Sequence, residues 1–468
     1  MPGPKSYPLI GSTYYFFRHN SKDFLDIVIK LTRDYLSPCK FCLGNKLVIV
    51  IYEADQIQAI LQNSVDKSVA YKLMEPIFGK GILTAPVSIW IKNRKIITPS
   101  INTNMLRKLF DIFVQQSLIL TDELETVGLN GNKTTLLEHI LKCNLNAACG
   151  TLTNMKMNNF SNEINHLIQV IISDKKIFKL RLRNVLLYPN FIFNLTVMGR
   201  KHRKNMNFLN SFTDKLIQIS ALNEENIKKK YEPTKKTLID ILIEVFHEDK
   251  FPQKIIRDNL KTMILTASDT TSVTIDFAIF MLANFPEIQE KVYEELLEIY
   301  GTVTPKSARI KYEDLQHMNY LDRFIKETMR LFPTVPLIGR HLTEDVKMGE
   351  FILPKGVEIA MPIFSLHRNE KYWHNPLIFD PDRFLPEKIG TSYNNYYMPF
   401  GLGPRNCIVF IGMKYAMISM KVTLATLIRT FIFKVDKRIQ IDEIKLNMDI
   451  TLSSVEPIEV KIEKRELR

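Results

Sequence analysis

The stretch Tyr396–Ala416, YYMPFGLGPRNCIVFIGMKYA, decides how this chain is read. Inside it run Phe400, Gly401, Leu402, Gly403, Pro404, Arg405, Asn406 and Cys407. Two glycines and a proline set a tight loop, since glycine reaches backbone conformations closed to other residues and proline fixes its own. The loop delivers one cysteine to the start of an apolar run, Met413–Phe433, that reads as a helix. A thiol at a helix N-terminus has its thiolate form stabilised. A thiolate held there ligates metals, and a haem iron is one candidate. The competing reading is a buried structural cysteine after a turn.

Outward from that loop, composition sets the bounds. The 468 residues are 46% apolar and 24% charged, a globular composition with enough chain for a large core. Five cysteines at irregular spacing do not make a disulfide framework. Cys39 and Cys42 form a lone C-x-x-C with no second pair, and none of the nine histidines falls in an H-E-x-x-H spacing. The formal charge of +13 suits an anionic membrane or an acidic partner. The lysines are spread along the chain without a nucleic-acid motif, so no nucleic acid is expected as a partner. The opening MPGPKSYPLIGS follows no long apolar run and reads as neither a signal peptide nor an anchor.

Along the chain, Ser21–Asp34 has helical apolar spacing, and Lys40–Leu43 with Leu47–Tyr52 reads as a strand pair around Gly44-Asn45. Glu53–Gln62 reads as a short helix and Ser64–Leu83 as a loop. Helices then dominate from Trp90 to about Tyr300, and Lys306–Arg330 continues helical. Pro333–Pro362 breaks into short strands, Asn369–Pro399 meanders, and about the last forty residues read as strands. With no repeat or low-complexity linker, the expectation is a lead over residues 1–20 and one mainly α domain with a small β region over 21–468. Leu182–Val197, followed by the basic GRKHRK, reads either as a buried helix pair or as a loop dipping into lipid with its basic run at the headgroups.

Three constellations carry chemistry. Glu327 and Arg330 are three apart on a helix and share a face; Arg383 lies in the later FDPDRF. Thr266–Thr271 holds Asp269-Thr270-Thr271, side chains that compete for backbone hydrogen bonds and can bend a helix. A solvent-exposed helix start capped by Asp269 is the alternative. Trp90 and Arg94 sit one helical turn apart, and both are donors suited to a carboxylate.

Phe-x-x-Gly-x-Arg-x-Cys resembles the haem-binding loop of the cytochrome P450 family, and the other constellations follow in that family's order from Trp90 to Cys407. KETMRLFPTVPLIGR and LTASDTT are most similar to the branch of fatty-acid ω-hydroxylases and insect relatives. The resemblance implies the P450 fold, an α-rich triangular prism with a small β region. It implies a haem-thiolate monooxygenase acting on a lipophilic substrate, with haem b bound non-covalently except for a bond from the Cys407 thiolate to iron. Trp90, Arg94, Arg340 and Arg405 would bind the haem propionates, with Phe400 also against the haem. Thr270 would hydrogen-bond oxygen and Asp269 would relay protons. Glu327, Arg330 and Arg383 would form a structural triad beneath the haem. Electrons would come from NADPH through NADPH–cytochrome P450 reductase, with cytochrome b5 as a further candidate partner. The implied place is the cytosolic face of the endoplasmic reticulum membrane, the anchor helix being absent from this chain.

Two departures bear on activity. The residue four before Thr270 is Thr266, where the ω-hydroxylase branch often has a Glu that esterifies haem, so no covalent link is expected. The family usually has Gly two after the cysteine. Here Val409 stands there, and GMKYAM looks displaced by Val409–Ile411, about 4.5 Å and 300° of helix. A catalytically impaired P450-like protein, or an error in the reading of the gene, is therefore the alternative. A P450 isomerase or dehydratase is disfavoured by Asp269-Thr270.

Overall fold

The computed structural model describes residues 1–15, 24–100, 102–153, 155, 157–228, 237–248, 252–390, 392–407 and 411–466. Its larger helices are α1 (Phe24–Asp34), α2 (Ala54–Asn63), α3 (Val87–Ser100), α4 (Phe110–Gly128), α5 (Leu137–Thr153), α6 (Ser161–Arg183), α7 (Val197–Lys228), α8 (Leu238–Glu248), α9 (Gln253–Asn284), α10 (Pro286–Tyr300), α11 (Asn319–Leu331) and α12 (Ile411–Thr430). The strands are β1 (Cys39–Leu43), β2 (Lys46–Val50), β3 (Thr134–Thr135), β4 (Ile338–His341), β5 (Val346–Met348), β6 (Phe351–Leu353), β7 (Glu358–Met361), β8 (Phe431–Lys434), β9 (Leu446–Met448), β10 (Leu452–Ser454) and β11 (Glu459–Lys464).

Helix α9 is the axis of the molecule. From Val273 to Asn284 every residue is buried, the mark of a helix packed on all sides. It lies against α5, α11 and α12, and α4 packs on both α5 and α12. One contiguous apolar core runs through these helices. The largest sheet has the order β1-β2-β7-β4. Its first two strands form a hairpin at Gly44, whose φ of +60° suits glycine. Strand β2 pairs in parallel with β7, and β7 antiparallel with β4. A second sheet has the order β3-β11-β8.

Several expectations change in detail. The helix read to Phe433 ends at Thr430, because Phe431 and Phe433 alternate into β8 and pair with β11. Ser64–Leu83 is not all loop: it holds a 3-10 helix at Val69–Met74 and a short α-helix at Glu75–Phe78. The helix expected over Lys306–Arg330 begins only at Asn319, after a 3-10 turn at Tyr312–Gln316. Asp269 is in the middle of α9, which excludes an exposed helix start there. Of the insert Val409–Ile411, residues 409 and 410 lie outside the described residues, and Ile411 opens α12. No helix among the described residues is long and apolar enough to cross a membrane.

Candidate active site

The Cys407 loop is shaped by its own backbone. Cys407 N–H donates to the Phe400 carbonyl at 2.9 Å, Asn406 N–H to Gly403 at 3.1 Å and Gly401 N–H to Met398 at 3.0 Å. Gly401 and Gly403 have φ of +71° and +74°, the left-handed region. At Gly403 a Cβ would fall 2.0 Å from the Leu61 carbonyl oxygen, so the loop and α2 meet only because that residue is glycine. The exposed Cys407 opens with Phe400 and Arg405 onto a cavity of about 1270 Å³. Thr266, Asp269 and Thr270 of α9 line the same cavity, and Ile171, Asp174, Lys175 and Phe178 of α6 contribute to its lining.

Beside the cysteine stands a cluster of cations. Arg94 does not reach for an acid: its Nη2 donates to Asn406 Oδ1 at 2.7 Å and its Nη1 to the Asn406 carbonyl at 3.2 Å. Trp90 is buried between guanidinium groups, Arg405 at 4.2 Å and Arg94 at 5.5 Å from its ring centre. Arg405 donates Nε to the Val65 carbonyl and Nη2 to the Ala85 carbonyl, while its buried Nη1 has no hydrogen-bond partner. Arg340 donates Nε to the Ser64 carbonyl at 3.0 Å. Burial and the neighbouring Arg340 hold Arg405 down at about 10. Burial, with Arg340 and Arg405 as like charges, pushes Lys67 well below its ordinary value. Cations that repel one another around an orphaned guanidinium N–H fit an anion with two carboxylates. Lys67 was not legible in the sequence, since a single lysine in a loop carries no spacing signal.

The triad residues meet. Glu327 and Arg330 are fully buried on α11, with Arg330 Nε 2.7 Å from one carboxylate oxygen and Nη2 2.8 Å from the other. Arg383 Nε approaches the same carboxylate at 3.4 Å, and the Asp380 N–H donates to it at 3.0 Å. Arg330 also donates to the His367 carbonyl at 2.8 Å. The His367 ring in turn accepts the Met398 N–H at 2.8 Å, and Met398 opens the cysteine loop. Burial, then the Arg330 charge, lowers the imidazole to about 3, so it is neutral. The relay from Glu327 to the loop through His367 was missed by sequence reasoning.

On the opposite wall, α9 turns its hydroxyls inward on its own carbonyls. Thr270 Oγ1 donates to the Thr266 carbonyl and Thr266 Oγ1 to that of Thr262, both at 2.7 Å. Asp269 is tied on both oxygens, to Lys175 Nζ of α6 at 2.7 Å and to the Thr451 hydroxyl at 3.2 Å. Lys179, one turn further along α6, pairs with Asp449 at 3.2 Å.

The family model for cytochrome P450 matches residues 1–462. The chain is 30% identical to cytochrome P450 4V2 of Mus musculus over 98% of its length and 89% of the relative's. It is 31% identical to cytochrome P450 4c21 of Blattella germanica, covering 99% of this chain and 93% of that one. Cytochrome P450 4c3 of Drosophila melanogaster is 30% identical over 100% of this chain and 89% of its own. That family uses haem b with a cysteine thiolate on the iron, and its mainly α fold is the one described above. The chain belongs to the cytochrome P450 family and is a P450 monooxygenase.

Proposed function

We propose that this protein inserts one oxygen atom from O₂ into a lipophilic substrate, and that the Cys407 thiolate would hold the iron of haem b. The observation that carries this reading is that Cys407 and Thr270 line one cavity together with Lys67, Arg94, Arg340 and Arg405, the last with a buried Nη1 that has no hydrogen-bond partner. Trp90, Arg94, Arg340 and Arg405 are assigned to the propionates, and Lys67 joins them. Phe400, which lines the same cavity, would lie beside the haem. When bound, the haem supplies the iron chemistry that activates oxygen, with electron density pushed from the thiolate.

The protein's own residues do the rest. The Phe400 carbonyl fixes the backbone of Cys407 and so the direction of its sulfur. Thr270 spends its proton on the Thr266 carbonyl and keeps lone pairs toward the cavity, so it accepts or passes on a proton as its hydroxyl rotates. Asp269 holds a carboxylate beside it, anchored between Lys175 and Thr451, from which protons reach the cavity. Glu327, Arg330 and Arg383 act structurally. Thr266 offers no carboxylate, so the haem is not esterified.

Electrons come from NADPH through a separate reductase, with cytochrome b5 as an accessory donor. Docking at the endoplasmic reticulum membrane is assigned to the connection between α6 and α7. There Leu186, Phe191, Leu195 and Val197 are each 70–75% exposed and are followed by exposed Arg200, Lys201, Arg203 and Lys204. Such a surface suits the lipid interface. The test is reconstitution with reductase, NADPH and a panel of lipophilic substrates. Thr270→Ala should keep its haem but release more peroxide per NADPH. Equal coupling in the variant would contradict the role of Thr270.

A further inference from the structure

We propose that Asp258 and Asn259 of α9 are positioning residues that fix the strap Phe78–Ala85 as one wall of the cavity, and so set which ligands fit beside the haem. This rests on the reading of that cavity as the place where substrate meets haem. Phe78, Ile82 and Leu83 of the strap line it, and Asp258 and Asn259 act from outside that lining. The first half of α9 carries a polar run that the chemistry above does not use. Asp258, Asn259, Lys261 and Thr262 are each 3% exposed or less. Buried polar side chains need partners. Here the strap supplies them. Asp258 Oδ2 accepts the Lys80 N–H and Asn259 Oδ1 the Ile82 N–H, both at 2.9 Å. Thr262 Oγ1 lies 3.3 Å from the Phe78 carbonyl oxygen. Lys261 Nζ stands 3.4 Å from Asp258 Oδ1 and donates to Asn210 Oδ1 of α7 at 3.0 Å. Gly79 and Gly81 donate their own N–H groups locally, to the Glu75 and Phe78 carbonyls. From Gly79 to Ile82 the amides therefore alternate between local carbonyls and α9, and all are used.

The approach is close. A Cβ at Gly79 would fall 2.1 Å from the Asp258 carboxyl carbon, and one at Gly81 would fall 2.2 Å from Thr262 Oγ1. Only glycine lets the backbone come so near. At its other end the strap is held again, where Arg405 Nη2 donates to the Ala85 carbonyl at 3.0 Å. The wall is thus fixed between α9 and the cysteine loop. Its sensitive point is Ile82. Without Asn259 the buried Ile82 N–H has no acceptor, which costs the full desolvation of that group. The strap would shift until the amide met water, and the Ile82 and Leu83 side chains would leave the wall with it.

Asn284 supplies a matched control on the same helix. Its Oδ1 accepts the Ile439 N–H at 2.9 Å, and its Nδ2 donates one turn back to Phe280, as that of Asn259 does to Ile255. Ile439 is no part of the cavity lining. Asn259→Leu and Asn284→Leu are compared with the parent, haem-loaded, by spectral titration with two ligands. Imidazole needs only the iron; N-dodecylimidazole also lays an alkyl chain along the walls. Asn259→Leu should bind N-dodecylimidazole several-fold more weakly and imidazole as the parent does. Asn284→Leu should leave the ratio of the two dissociation constants as in the parent. Asn259→Ser, polar but too short to reach Ile82, should shift the ratio the same way and serves if the leucine variant does not fold. Amide exchange at Ile82 should quicken in both Asn259 variants and not in Asn284→Leu. An unchanged ratio in the Asn259 variants, or an equal shift in Asn284→Leu, overturns the proposal. A parent without a thiolate band would refute Cys407 as ligand, while exchange at Ile82 still decides whether Asn259 holds the strap.

Discussion

The two walls of the cavity are held by different kinds of bond. On the cysteine side, arginines are fixed to backbone carbonyls: Arg405 to Val65 and Ala85, Arg340 to Ser64, Arg330 to His367. The Glu327 carboxylate there is completely buried. On the roof, α6 is tied to the floor by side-chain pairs, Lys175–Asp269 and Lys179–Asp449, each partly open to solvent. A buried network keeps its geometry or loses it cooperatively. Partly solvated pairs let go one at a time at small expense. The difference assigns fixed geometry to the ligand side and adjustable geometry to the side that admits substrate.

The sharpest way to break this contrast is Glu327→Gln. It leaves Arg330 charged and buried without its partner, which should cost about 3–5 kcal/mol. Thermal unfolding of the apoprotein reads it directly, and a loss below about 1 kcal/mol would mean the network is not what holds this wall.

Next is the pH dependence of His367. Its folded value of about 3 lies below the ordinary 6.5. Between those limits the unfolded chain takes up a proton that the folded chain refuses. Stability from this residue is therefore complete above about pH 6.5 and is lost as pH falls towards 3, at about 1.4 kcal/mol per pH unit. By about pH 4.5 the loss should approach 3 kcal/mol. His367→Gln should flatten that part of the stability–pH curve, and an unchanged slope would place the titration elsewhere.

Both residues show what a sequence can and cannot reveal here. Glu327, Arg330 and Cys407 were legible because the chemistry sits within a few residues: a carboxylate and a guanidinium on one helical face, a cysteine after a glycine-proline loop. His367, Asn406 and Lys67 were not. Each is an ordinary residue whose role exists only because α3, α11, β4 and the cysteine loop come together from segments far apart in the chain. Asp269 was legible as a polar residue in an apolar helix, but its anchoring by Lys175 was not, since that needs α6 laid across α9. The over-long final helix has the same cause. Phe431 and Phe433 suit helix or strand equally, and pairing with β11 chose between them.

A smaller effect is expected from Lys67→Met. Haem affinity should fall about tenfold, on the order of 1.4 kcal/mol. The apoprotein should be as stable or more so, because the charge removed is repelled by Arg340 and Arg405. Haem titration beside apoprotein unfolding separates the two, and apoprotein destabilisation would contradict the assignment.

The smallest expected effect is on the roof. Removing both members of one pair, Lys175→Met with Asp269→Asn, should change stability by about 1 kcal/mol or less. Amide exchange in α6 should nevertheless quicken. Unaltered exchange there would show that the roof is held by its apolar packing instead.

The most direct test of Cys407 as haem ligand is the absorption spectrum of the reduced, CO-bound protein, taken on the parent and on Cys407→Ser. The parent should show the red-shifted Soret band of a thiolate-ligated haem, and the variant should lose it, because a serine hydroxyl is a poor ligand for haem iron. A parent with only an imidazole-like band, or a variant that keeps the thiolate band, would contradict the assignment.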